Sequence, residues 1–126
     1  MNGWRLEVSE VFESRAKRSE KKHPEETRAM FVNLDKYLGA LNDGTNVAQI
    51  TARYIHPEQM GVKALDQKGA KGKPTQTRLY IYPDKDTRTV YLISIGEKGK
   101  KKVQNKDVHF CCEFVKALRK KESDNG

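Results

Sequence analysis

The chain has 126 residues, enough for one domain with a real core and no need of disulfide or metal staples. Apolar residues make up 36% and charged residues 33%, but the apolar positions recur periodically, which excludes a disordered chain, and no apolar run approaches the roughly 20 residues that span a bilayer. The formal charge of +8 sits wholly in one half: residues 1–60 carry nine Lys/Arg against nine Asp/Glu, residues 61–126 sixteen against eight, a one-sided field that favours polyanions over membranes.

Trp4 to Val8 alternates as a short strand, and Ser9 follows as an N-cap with Glu10 and Glu13 in the first turn of a helix to about Lys22. Pro24 with Glu25 and Glu26 opens a second helix. Its stripe of Thr27, Met30, Phe31, Leu34, Leu38 and Leu41 ends at a Gly44 C-cap. Thr45 to Met60 reads as a short helical turn ended by Pro57, with His23 and His56 as boundary residues before prolines and no evident carboxylate partner. Gly61 to Leu65 is a short strand, and QKGAKGKPTQ a basic loop.

A hairpin is expected next, with strands Thr77–Tyr82 and Thr87–Ile95 joined by Pro83-Asp84-Lys85-Asp86. GEKGKKKVQN is a second basic loop, and a closing helix runs from about Asn105 to Lys120 with Val108, Cys111, Cys112, Val115 and Leu118 as its stripe. Residues 1–121 therefore read as one domain and 122–126 as a disordered tail. The fold expected is α+β: a small antiparallel sheet with an N-terminal helical hairpin and a C-terminal helix packed on one of its faces.

Period two in the first hairpin strand puts Leu79 and Ile81 on one face and Arg78, Tyr80 and Tyr82 on the other. A cation flanked by two aromatic rings suits gripping a phosphate and stacking on a base, so RNA is the first partner to consider. Lys68, Lys71 and Lys73 of the first basic loop are placed to approach RNA beside Arg78, and Lys100, Lys101 and Lys102 to set affinity and its salt dependence. The plainer alternatives are a solvent-facing strand whose aromatics shield the sheet, and a solvated lysine loop.

Other motifs carry less. Cys111 and Cys112 are adjacent, cannot pair readily within regular structure, and read as core-facing free thiols. With His109 they fall short of a zinc site, which needs four ligands at suitable separations. Gly69-Ala70-Lys71-Gly72 matches a GXXG loop, but between strands rather than helices, and GAKGKPT fails the P-loop spacing. No metal or other cofactor is expected. The opening MNGWRLEVSE shows no apolar signal core, so a cytoplasmic protein is the expectation.

In order along the chain, WRLEVSEVF before a helical hairpin, GVKALDQKG, RLYIY…VYLISIGEK and the closing KDVHFCCEFVKALRK resemble the RelE/ParE superfamily of toxin–antitoxin toxins, and GVKALDQKG a phage- and plasmid-borne branch of it. The resemblance implies a metal-independent endoribonuclease acting on mRNA, commonly on the ribosome, and neutralised by a cognate antitoxin. In that chemistry the ribose 2′-oxygen attacks the adjacent phosphate and leaves a cyclic phosphate and a 5′-hydroxyl.

Position by position, the resemblance makes Arg78 the strand arginine on the scissile phosphate, and Lys63 and Lys98 the supporting basic residues. Lys98 stands where many members have Arg, keeping the charge but losing the bidentate fork. Gln104 stands where many nuclease members have Tyr or His, which leaves the proton-transfer group unassigned. A non-enzymatic binder on the same fold, a gyrase-inhibiting toxin or an inactive RNA- or protein-binding homologue, is the alternative.

Overall fold

A computed structural model describes residues 3–68, 77–97 and 101–125. The order is β1 (Arg5–Val8), α1 (Glu10–Lys22), α2 (Pro24–Asn42), β2 (Ile55–Pro57), β3 (Lys63–Asp66), β4 (Thr77–Asp84), β5 (Thr89–Glu97) and α3 (Lys101–Asn125), with single 3-10 turns at Val47–Gln49 and Gln59–Gly61. The five strands form one sheet in the order β1-β5-β4-β3-β2. Three of its pairings are antiparallel, while β1 runs parallel to β5 with Arg5 beside Thr89 and Val8 beside Leu92. The α+β architecture is the one expected, with a mixed rather than purely antiparallel sheet.

Ser9 converts strand into helix. Its Oγ accepts from the Phe12 backbone N at 3.1 Å, capping α1, and donates to the Ile93 carbonyl at 2.6 Å. Its own N–H continues the ladder by donating to the Leu92 carbonyl. Past Leu92, therefore, β5 has α1 rather than a strand on that side. In α2 Thr27, Met30, Leu34 and Leu41 of the expected stripe are buried and Phe31 and Leu38 partly so, and Tyr37 and Asn33 join them. With Phe12, these side chains cover Ile55, Leu65, Leu79, Ile81, Val90, Leu92 and Ile95 on one face of the sheet.

The second core lies on the opposite face, where Cys111 and Val115 of α3 pack on Val62, Ala64, Tyr80 and Ile93. The expectation of all helices on one face is thus corrected: the hairpin strands alternate between two apolar faces, and each has its own helical cover. Close approach of α3 to β5 depends on Gly96, where a Cβ would overlap the Asp107 carboxylate.

Three boundaries differ from expectation. Ile55–Pro57 is an edge strand rather than part of a helical turn, and an edge is where a proline without an N–H is tolerated. Strand β4 continues through Pro83 and Asp84, since β3 stops opposite Ile81 and the proline faces no strand on that side. The turn shifts to residues 85–88, with Arg88 left-handed at φ 51°. Helix α3 is longer at both ends than Asn105–Lys120, so residues 122–125 are helical.

Candidate active site

Side-chain alternation gathers His56 from β2, Ala64 and Asp66 from β3, and Arg78, Tyr80 and Tyr82 from β4 on the face that α3 covers. Glu58, two extended residues beyond His56, joins them. The two rings expected to stack on RNA are engaged within the protein. Tyr80 is 1% exposed in the second core. Tyr82 stacks on Tyr91 with centroids 6.3 Å apart, and the Arg119 guanidinium lies 5.9 Å from its centroid. The aromatic–cation–aromatic strand face is real, but Tyr80 is core and Tyr82 is half-buried against its neighbours, with Arg78 at the far end.

At that end the structure assembles four groups. Asp66 is fully buried and lies directly across from Arg78 in the sheet. Its Oδ2 is 2.6 Å from His56 Nε2, its Oδ1 accepts from the Lys68 backbone N at 2.8 Å, and its carbonyl accepts from Asn33 Nδ2 at 2.9 Å. A buried carboxylate survives only with such partners. With Asp66 ionised and the ring neutral, Nε2 donates and Nδ1 is left holding a lone pair. That is how a carboxylate orients an imidazole for proton abstraction. The His56 side chain is 28% exposed, so its ring can be reached from outside.

Arg78 Nη1 lies 3.8 Å from Glu58 Oε1, and its side chain is 12% exposed. Its Nε is buried with no hydrogen-bond partner among the described residues. A guanidinium held loosely by one carboxylate keeps donors for an incoming phosphate. Base and cation are thus set one strand apart on either side of Asp66, at the roughly 5 Å interstrand spacing per step.

Asp107 reaches the same region from α3. Arg15 Nη1 is 3.2 Å from its Oδ1, and its Oδ2 is buried without a partner among the described residues. Burial pushes its pKa up, and the Arg15 hydrogen bond and charge pull back only in part. The folded chain therefore holds this proton more tightly than the unfolded chain. The stability so gained is present below the unfolded pKa and is lost as pH rises through the folded one. Asp107→Asn is expected to remove that dependence. In thermal melts from pH 4 to 8, its Tm advantage over the parent should grow as pH rises. A Tm gap that shrinks with rising pH would sink the assignment.

The remaining expected residues are dispersed. Lys63 is half-buried and lines a cavity of about 710 Å³ with Tyr82, Asp84 and Arg119 at the other end of β4, away from Arg78. Lys68 is exposed and, through its backbone, adjoins Asp66. Lys102 is exposed near the start of α3. Lys71, Lys73, Lys98 and Lys100 lie outside the described residues, as does the side chain of Lys101. His109 points outward, 3.9 Å from Glu113. Burial pushes the Cys111 thiol up to about 12, with Asp107 adding to the effect, which makes it a core group rather than a nucleophile.

His56 and Asp66 are what the sequence reading missed. The available signal was a second hairpin, IHP and KALD around a tight turn in which Met60 and Gly61 are left-handed at φ 59° and 81°.

No family model and no curated protein matches the chain. Among solved structures it is similar to a metal-bound toxin from Helicobacter pylori, with 19% identity and a TM-score of 0.49 over 75% of this chain and 94% of that one. It is also similar to the toxin–antitoxin complex RelBE2 from Mycobacterium tuberculosis, with 12% identity and a TM-score of 0.38 over 77% of this chain and 100% of that one.

Proposed function

We propose that the chain is a RelE-like toxin that cleaves mRNA, held inactive by a cognate antitoxin and acting on messages presented by the ribosome. The observation that carries the reading is the His56–Asp66 pair set beside Arg78 on one sheet face. In the proposed reaction His56 Nδ1 takes the ribose 2′ proton and the 2′-oxygen attacks phosphorus. The bond to the 5′-oxygen breaks, giving a 2′,3′-cyclic phosphate, and the leaving oxygen takes a proton from water to become the 5′-hydroxyl. Arg78 leaves Glu58 and stabilises the phosphorane charge. Lys98, on the family resemblance, is a proposed second cation. Lys63, at the other end of β4, drops out of the set.

The test is induction in a bacterial host with primer extension across abundant messages. Discrete cleavage points and growth arrest are expected, and Arg78→Ala should reduce cleavage about 10²–10³-fold while the purified variant stays folded. Cleavage that persists in Arg78→Ala would overturn the assignment. DNA damage without message cleavage would favour a gyrase-directed binder, for which the absence of an aromatic or His at Gln104 speaks.

A further inference from the structure

Beside the candidate site runs a cleft that the reaction above does not use. One wall is a stripe of α1, Arg15, Arg18 and Lys22, spaced so that all three fall on one side of the helix, with His23 at its C-cap beyond them. The opposite wall is Val103 and Asp107 of α3. The floor is Thr77 and the run Ile95, Gly96 and Glu97. The floor is open there because β1 pairs with β5 only as far as Leu92. The enclosed volume is about 280 Å³, room for a sugar–phosphate unit but not for a duplex.

The charges of this cleft are incompletely matched. Arg15 is tied to Asp107. Lys22 and His23 share Glu97 through long contacts of 3.9 and 3.6 Å, which are weak at such exposure. Arg18 has no ion pair among the described residues. Three permanent cations thus face two carboxylates, one of them exposed. The cleft also abuts the proposed chemistry. Thr77 precedes Arg78 in the chain, and Gly96 is the residue directly across from Arg78 in the sheet.

We propose that this cleft is a backbone subsite for single-stranded RNA, in which Arg18 and Lys22 take a phosphate adjoining the one at Arg78. The inference rests on the RNA reading of the site, and it makes α1 a guide for the strand rather than only a cover for the core. A guanidinium offers a phosphodiester two parallel donors, and a lysine adds a point charge. Neither reads a base, so the subsite contributes affinity and register but no sequence preference.

The experiment uses the full chain and a fluorescent 2′-O-methyl single-stranded RNA, which cannot be cleaved, in anisotropy titrations over a series of salt concentrations. Arg18→Ala with Lys22→Ala is expected to weaken binding at least about tenfold at low salt. It should also flatten the slope of log affinity against log salt by about 1.4, two contacts at about 0.7 each. Lys36→Ala, an exposed lysine of α2 outside both sites, should bind as the parent does. Affinity and slope within twofold of the parent would overturn the proposal, as would displacement of the RNA by inorganic phosphate at micromolar concentration, which marks a free-anion site. If the double variant loses binding but the parent cuts no message, the subsite stands and the enzymatic reading falls. If cutting is seen and binding is unchanged, the reverse holds.

Discussion

Replacing His56 by Ala is expected to lower the message-cleavage rate about 10²–10⁴-fold, the usual worth of a positioned general base. The expectation follows from geometry: Asp66 is fully buried and fixes one ring nitrogen at 2.6 Å, leaving the other to meet substrate. Because 28% of the side chain is exposed, the variant leaves a hole open to solvent, and added imidazole should restore part of the rate. That rescue separates proton transfer from a merely structural part. Asp66→Asn should slow cleavage as well, since an amide no longer selects the productive tautomer. Single-turnover rates on a short RNA decide the matter. A His56→Ala protein that cuts at the parental rate removes His56 from the mechanism.

Two residues along β4 from the proposed catalytic cation, Tyr80→Ala should act through stability instead. Its ring is 1% exposed among Val62, Ala64, Ile93, Cys111 and Val115, and deleting a buried aromatic of this size costs about 3–5 kcal/mol. Against a typical total of about 5–15 kcal/mol, much of the folded population is at risk, and α3 should loosen first. Urea denaturation reads this as a large fall in midpoint. Arg78→Ala beside it should barely move the midpoint while removing activity. A Tyr80→Ala protein of parental stability with lost RNA affinity would mean that the ring is an outward stacking platform after all.

The contrast between these neighbours marks what could be read from residues alone. Alternation showed that Arg78, Tyr80 and Tyr82 share a face, but period two says nothing about what lies over that face. The stripe of α3 showed that the helix buries something without saying which side of the sheet. Elements whose signals are local were legible: the Ser9 cap, the α2 stripe opened by Pro24, and the strand pair of the main hairpin. The His56–Asp66 contact was not, because it crosses a three-residue edge strand and a left-handed turn. Weak β propensity around Pro57 hid the strand that carries the histidine.

The parallel pairing of β1 with β5 has a consequence for the chain as it is made. Arg5 lies beside Thr89, so β1 has no neighbour until β5 has been made. Strand β5 is also the one on which both cores close, through Val90, Leu92 and Ile95 on one side and Ile93 on the other. High sequence separation of this kind defers the closing of both cores until β5 has been made. Arg78 and His56 are therefore made before the strand and helix that complete their surroundings. The proposed cutter is inert toward the message encoding it until β5 and α3 have been made.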